Sequence, residues 1–390
     1  MSDAPATKLP SMGLREGAGE RESDRPIRVM VVDDSHLMCW LLTRWIGEAP
    51  GLELAGIASS GSEAVATIGR RCPDVVLLDL EMPEMGGLEA LPTLLKICPS
   101  AKVLVVSALT KNNAGVALDA LAKGAVDYVS KPSASGQNCD GQEFRRALLK
   151  RIEAICRPPE PRPVRRPRQA KLDTNRAALG FGDGPAMPVV RKPFSMVVPR
   201  VIGVGSSTGG PEALLRFLTP LAPAIRRAPV LIAQHMPAEF TRTLAARLAI
   251  ATGMSAKEGM DGEPIKPGHI YLAPGDRHMT LAPSKPPTIA ISDAPPVRYY
   301  RPSVDLLFES LVDVYGPAVL GVVLTGMGSD GMEGAGAISK AGGSVIAQDQ
   351  ASSVVWGMPG AVSTAGYAAG EGTPEQLAEV TVGLFEMERP

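Results

Sequence analysis

Cysteine is absent after residue 156, aromatic residues make up 4% of the chain, and histidine occurs four times in 390 residues. Few aromatics argue against a stacking platform for single-stranded nucleic acid. The five cysteines (Cys39, Cys72, Cys98, Cys139 and Cys156) are odd in number, lack CxxC spacing and sit in apolar contexts. That pattern predicts neither a disulfide framework nor a zinc site, and it suits a reducing, cytoplasmic location. No stretch reaches the roughly 18 apolar residues that suggest a membrane span, so no membrane insertion is expected. The N-terminus carries Asp3, Glu16, Glu20 and Glu22 without an apolar core, which excludes a signal peptide as the reading. Net charge is only −1, from 40 Lys+Arg against 41 Asp+Glu. A uniformly basic nucleic-acid binder and an acidic disordered chain are both excluded.

What is present is enough apolar material, 45%, for real cores, and a length that implies two or three domains. Composition divides the chain into a polar tail over 1–26, a domain over 27–150, a linker over 151–198 and a second domain over 199–390. In the first domain the apolar runs IRVMVV, LELAGIA, DVVLLDL, KVLVVSA and VDYVS alternate with amphipathic stretches. Continuous apolar strands between helices imply βαβ units and a parallel sheet buried on both faces. The pattern breaks over 157–200, which holds nine prolines and ten Lys/Arg against three Asp/Glu. Such a segment cannot bury a core and reads as an extended linker, its charge either solvated or docked on an acidic surface. Strand–helix alternation then resumes with RVIGVG, PVLIAQH, HIYLAP, TIAIS, AVLGVVLTG and GSVIAQD, predicting a second, mostly parallel α/β domain. Residues 201–390 hold 13 Lys+Arg against 18 Asp+Glu and no helix-turn-helix signature, so no nucleic-acid partner is expected.

In the first domain the polar residues collect where strands end: Asp33 and Asp34, Asp79, Ser107, and Lys131 before Pro132. Ligands of doubly wound sheets bind beyond the carboxyl ends of the strands. Crowded carboxylates repel unless a hard cation joins them, and magnesium suits such oxygen ligands. An aspartate so placed can accept a phosphoryl group, its charge neutralised by the metal and a lysine. VVDDS, LLDLEMPEMGGLE, VVSALT and the Lys131–Pro132 pair resemble the response-regulator receiver family, a flavodoxin-like (βα)5 fold. The resemblance implies phosphorylation of Asp79 by a chemotaxis-type histidine kinase. It also implies Mg2+ held by Asp34, Asp79 and the Glu81 carbonyl, with Asp33 supporting. Ser107, Tyr128 and Lys131 would transmit the switch.

RVIGVGSSTGGPEALLRFL is a strand, a Gly-rich turn and a helix. Gly205, Ser207 and Gly209 fit the G-x-S-x-G spacing of a nucleophile elbow. Alone this is weak, because such a turn also binds phosphate at a helix N-terminus, or is simply a turn. A serine nucleophile needs a base and an orienting acid. His36 belongs to the first domain. His235 ends the strand PVLIAQ, His269 lies at the wrong end of IYLAP, and His278 sits in a polar loop beyond it. Asp330 in GMGSDG follows a very apolar strand on the same edge, and Asp276 in PGDRH is the alternative acid. The order Ser–His–Asp differs from the Ser–Asp–His order of the α/β-hydrolase fold and argues against that fold.

Six blocks then carry a second resemblance: GSSTGGPEAL, QHMPAEFTRTLAARL, DGEPIKPGHIYLAPGDRHM, YRPSVDLLF, GVVLTGMGSDGMEGAGAI and VVWGMPGAV. They look like the catalytic domain of the chemotaxis protein-glutamate methylesterases, the CheB family. The match implies Ser207 as nucleophile, His235 as base, Asp330 as orienting acid, and the Thr208 and Met327 amides as oxyanion donors. The side chains of Ser206 and Thr208 read as turn formers, and His269 and His278 as structural. The implied substrate is a glutamate methyl ester on the cytoplasmic helices of a methyl-accepting receptor, with receptor glutamine deamidation second. The catalytic domain is expected to need no cofactor. Trp356 and Met358 either help form the substrate surface or pack the core. Two alternatives stand beside this reading: an esterase of the same kind serving a non-motility array, and a non-catalytic receiver-coupled module. A receiver tethered to this domain is expected to cover Ser207 until Asp79 is phosphorylated.

Overall fold

The computed structural model describes residues 25–108, 111–131, 141–157 and 189–386. Residues 1–24 of the expected tail, most of the linker and Cys139 lie outside the described residues.

The first domain alternates strictly. Strand β1 (Ile27–Val32) leads to helix α1 (His36–Glu48), then β2 (Leu52–Ala58) and α2 (Gly61–Ile68). β3 (Val75–Leu78), α3 (Gly87–Ile97), β4 (Lys102–Ala108), α4 (Lys111–Ala122), β5 (Asp127–Lys131) and α5 (Gly141–Cys156) complete it. The strands lie in the order β2-β1-β3-β4-β5, all parallel. β3 is buried throughout, as a strand covered by helices on both faces must be. Serine caps start the helices: Ser35 Oγ accepts from the Met38 amide and Ser60 Oγ from the Glu63 amide. α5 continues six residues past the boundary expected at 150, on the buried stripe Phe144, Leu148, Ile152 and Ile155.

Cys72 and Cys98 form a disulfide, with Cα atoms 5.7 Å apart. They are 26 residues apart in sequence, but Cys72 lies in the loop before β3 and Cys98 caps α3, and the fold sets these segments side by side. A single bridge inside a large α/β core is no framework, but it is a covalent link that the cysteine spacing did not signal. Cys39 and Cys156 remain free.

The second domain begins inside the expected linker, with β6 (Val189–Val190). It continues with β7 (Val201–Ser206), α6 (Gly210–Leu218), α7 (Ala222–Ile225), β8 (Val230–Gln234) and α8 (Ala238–Thr252). Then come β9 (Ser255–Glu258), β10 (His269–Leu272), β11 (His278–Ala282), β12 (Thr288–Ser292) and α9 (Val304–Tyr315). β13 (Val319–Val323), α10 (Met332–Lys340), β14 (Ser344–Gln348), α11 (Met358–Thr364), β15 (Gly370–Gly372) and α12 (Pro374–Glu386) close the chain. Eight strands form one sheet in the order β6-β15-β14-β13-β7-β8-β10-β9. Only β6 is antiparallel to its neighbour. β11 and β12 form a separate antiparallel pair, so TIAIS is a strand but not one of the main sheet. β7, β8 and β13 are buried at every position. The chain moves outward from β7 through β8 in one direction and from β13 through β14 in the other. β7 and β13 therefore flank the point where strand order reverses, the place where such sheets bind ligands.

The two domains touch. α4 of the receiver packs on α8 and α6. Tyr128 stacks on Phe240 with ring centroids 4.4 Å apart. Arg247 bonds the Gly115 carbonyl at 2.9 Å and also meets the Asp119 carboxylate.

Candidate active site

Ser207, His235 and Asp330 come from the ends of the adjacent strands β7, β8 and β13. Ser207 sits on the turn between β7 and α6, and Gly209 two residues on adopts φ 75°, a left-handed conformation that glycine takes without strain. The Ser207 amide donates to the Thr325 carbonyl at 3.0 Å, fastening the turn to the loop after β13. Gly326 lies against it, and a Cβ there would come 2.8 Å from Ser207 Cβ. The His235 amide donates to the Ser206 carbonyl at 3.1 Å, which carries the ladder between β7 and β8 one residue further. Serine and histidine are thus placed by the same register.

His235 Nε2 meets Asp330 Oδ2 at 2.8 Å. Among the described residues, His235 Nδ1 is buried and has no hydrogen-bond partner. Tyr300 stacks on the imidazole with centroids 4.5 Å apart and limits how the ring turns. Asp330 is 2% exposed and sits at the N-terminus of α9. Its Oδ2 also accepts from the Val304 amide at 2.7 Å. Its Oδ1 accepts from the Asp305 amide, the Gly331 amide and the Ser303 hydroxyl, each at 3.1 Å. Burial pushes its carboxyl upward, but the His235 bond and these amides outweigh it and hold the group below the usual aspartate value. Asp305, buried beside it, is pushed up to about 6 by burial first and by the Asp330 charge. Of the two neighbours, Asp330 keeps the negative charge that an orienting acid needs.

Among the described residues, no acceptor meets the Thr208 or Met327 amide. Gln234, which the sequence reading missed, ties the turn together. Its Oε1 accepts from the Ser206 hydroxyl at 2.6 Å, and its Nε2 donates to the Ser207 and His235 carbonyls at 3.0 and 3.2 Å. Tyr300 and Ser303 were also missed. The only signal for Gln234 was its place beside His235 at a strand end, whereas Tyr300 and Ser303 come from a distant loop.

The remaining candidates fall elsewhere. His278 is 1% exposed and opens β11, so it does not lie in a polar loop. Its Nδ1 accepts from the Ser303 amide and its Nε2 faces the Pro295 carbonyl, each at 3.2 Å, which makes it a structural histidine. His269 starts β10, at the opposite edge, and bonds the Pro267 carbonyl. Asp276 accepts from the Ala238 amide at the start of α8, and burial raises its pKa. Met358 is fully buried, while the Trp356 indole donates to the Gln348 carbonyl at 2.9 Å. Trp356 lines a cleft against Lys102, Val126 and Ile155 of the receiver.

In the receiver, carboxylate oxygens of Asp33, Asp34 and Asp79 lie within 4.8 Å of one another. Lys131 Nζ bridges Asp79 at 2.6 Å and Asp33 at 2.8 Å. Asp33 and Asp79 are buried and Asp34 is exposed, so an all-oxygen cluster opens to solvent on one side. That donor set fits a hard divalent cation that retains water. Ser107 is buried nearby in sequence register with β5, its hydroxyl without a partner among the described residues. Glu81 is exposed, and its amide reaches toward Asp79 at 3.5 Å.

A five-strand receiver coupled to a parallel α/β domain, with serine, histidine and aspartate on adjoining strand ends, defines a receiver-coupled hydrolase. Residues 202–381 match the family described as CheB methylesterase, and residues 29–139 match the response regulator receiver domain. The chain is 45% identical over 373 residues to a protein-glutamate methylesterase/protein-glutamine glutaminase of Nitrobacter hamburgensis, covering 92% of this chain and 94% of that protein. A protein of the same description from Caulobacter vibrioides is 46% identical over 349 residues, covering 88% and 94%. Among solved structures, the CheB methylesterase catalytic domain of Thermotoga maritima is 36% identical, covers 48% of this chain and 100% of that one, and gives a TM-score of 0.46. The chain belongs to the CheB family of protein-glutamate methylesterases.

Proposed function

We propose that this protein is a phosphorylation-controlled serine esterase that hydrolyses glutamate methyl esters on chemoreceptors, with receptor glutamine deamidation as a second activity. One observation carries the catalytic assignment. Asp330 occupies His235 Nε2, so the buried Nδ1 is the nitrogen left to accept a proton. His235 Nδ1 removes the Ser207 proton as the hydroxyl attacks the ester carbonyl. Asp330 stabilises the imidazolium that forms and fixes the tautomer. The Thr208 and Met327 amides receive the oxyanion, each worth about 2.7–4 kcal/mol in comparable sites. His235 then protonates the departing methanol, and water activated by the same nitrogen hydrolyses the acyl-enzyme. Deamidation follows the same route with ammonia leaving, a poorer leaving group.

In the receiver, Asp79 is the phosphoryl acceptor and a histidine kinase the donor. Mg2+ would be held by Asp33, Asp34, Asp79 and the Glu81 carbonyl, and would neutralise phosphoryl charge. Lys131, already on Asp79, shares that role. The Ser107 hydroxyl, without a partner among the described residues, would follow the phosphoryl group. Tyr128, already stacked on Phe240, links the receiver to α8. Thr208, next to the nucleophile, donates through Oγ1 to Asp127 Oδ2 of the receiver at 2.8 Å. The docked receiver therefore restrains the active-site turn, and phosphorylation releases it. Among the described residues no helix is long and apolar enough to cross a membrane. We place the enzyme in the cytoplasm, where receptor helices and kinase are reached.

The test is methanol release from methylated receptor membranes. Ser207→Ala abolishes it, and Asp79→Asn removes stimulation by a phosphodonor while leaving the basal rate. Unchanged release by Ser207→Ala refutes the catalytic assignment.

A further inference from the structure

The segment that delivers Tyr300 to the histidine is an unusual piece of backbone. Val297 and Tyr300 exchange two hydrogen bonds, N–H to O=C, at 3.1 and 2.9 Å, closing a tight turn around Arg298 and Tyr299. Both central residues have positive φ, 49° at Arg298 and 76° at Tyr299. Turns with two such residues are usually built from Gly, Asn or Asp, because a Cβ is crowded there. An arginine and a tyrosine in these positions carry strain that the rest of the structure must hold. The anchors are visible. Arg298 bonds the Glu333 carboxylate on α10 and lies 3.8 Å from Asp305 on α9. Tyr300 is wedged flat against His235. Tyr299, between them, is 98% exposed. It is the most exposed of the large apolar side chains among the described residues, and it stays exposed with the receiver docked.

A strained backbone and a solvated aromatic ring are both unfavourable for the isolated protein. Such features persist at sites where they serve contact with something else. We propose that Tyr299 is a receptor-reading residue: its ring packs on an apolar or small side chain about one turn from the esterified glutamate on the receptor helix. The turn adjoins the residue stacked on His235, so a helix that presents its ester to Ser207 must pass beside it. Residues three or four apart on that helix share a face, which places one neighbour of the glutamate within reach of the ring. Tyrosine suits the task, because it offers a large, rigid contact area with few rotatable bonds. The inference rests on the esterase reading of Ser207.

The experiment uses the full chain, activated with a phosphodonor, on methylated receptor membranes. Tyr299→Gly removes the ring and relieves the backbone, while Tyr299→Phe keeps the ring. For Tyr299→Gly the KM for receptor rises about 5–20-fold, the range of a modest hot spot, and kcat is unchanged. Tyr299→Phe stays within about twofold of wild type on the same scale. Labelling of Ser207 by a small fluorophosphonate, which needs no receptor, proceeds at the wild-type rate in both variants. The melting temperature of Tyr299→Gly is raised by a few degrees, roughly, because strain is lost. An unchanged KM overturns the proposal. So does a matching fall in labelling, which means that the ring acts through His235, or a lower melting temperature, which means that it serves the fold. If wild type itself releases no methanol yet is labelled at Ser207, the esterase reading fails instead.

Discussion

Replacing Thr208 by valine isolates the contact between receiver and active site. Thr208 and Asp127 are 4% and 5% exposed, and their 2.8 Å bond lies in the interface between the domains. Valine keeps the shape and leaves the Thr208 amide and carbonyl in place, the carbonyl still held by the Thr325 hydroxyl. Asp127 keeps Arg151 Nε at 3.1 Å, so its charge is not stranded. In the undocked protein both groups meet water, so the loss falls on docking alone. A hydrogen bond to a charged acceptor contributes about 1.5–3 kcal/mol. At about 1.4 kcal/mol per tenfold, docking weakens by about 10–150-fold. While the docked form still dominates, basal methanol release rises by the same factor, and the stimulation by a phosphodonor shrinks to match. Thr208→Ser, which keeps the hydroxyl, behaves as wild type. An unchanged basal rate with undiminished stimulation refutes the restraint. A fall in both basal and stimulated rates also refutes it, by giving the side chain a role in catalysis.

Further outcomes follow from the same geometry. Asp330→Asn sets an amide against four donors and loses the charge facing His235, so kcat falls by about 10^3–10^4; steady-state methanol release checks it. Asp305 is raised to about 6 when folded, so its ionised form costs stability above that pH, and the cost is relieved as pH falls toward the ordinary aspartate value. Asp305→Asn, still able to accept from the Gly334 amide, therefore raises the melting temperature at pH 8, and the gain vanishes near pH 4. Chelation of divalent cations stops phosphodonor stimulation, and added Mg2+ restores it; stimulation that survives chelation removes the metal from the Asp33, Asp34 and Asp79 cluster.

Much of this was legible in the sequence because both sites follow parallel strands. Apolar runs marked β1, β3, β4, β7, β8 and β13, and the polar residues just past them were bound to gather on one edge of each sheet. The structure places Asp79 and Lys131 together on one such edge, and brings His235 to Asp330 on the other. Residues that support them from elsewhere were not legible in this way. Tyr300 and Ser303 come from a loop and a helix start with no strand-end signature, and Gln234 reads as one more residue of a buried strand. The Cys72–Cys98 pair was hidden because composition says nothing about which loop ends become neighbours. His278 looked polar and loop-borne because the short β11 begins on the histidine itself and is only five residues long.

Local pattern along the chain is enough to mark two α/β domains, a basic proline-rich stretch between them, and the candidate residues of each site. It suffices there, since strand burial and turn residues are properties of short segments. Folding alone sets which histidine nitrogen lacks a partner among the described residues, which of two adjacent aspartates keeps its charge, and that Asp127 of one domain grips Thr208 of the other. Those depend on distances and burial between residues far apart in the chain, as the sequence separation of 81 between Asp127 and Thr208 illustrates.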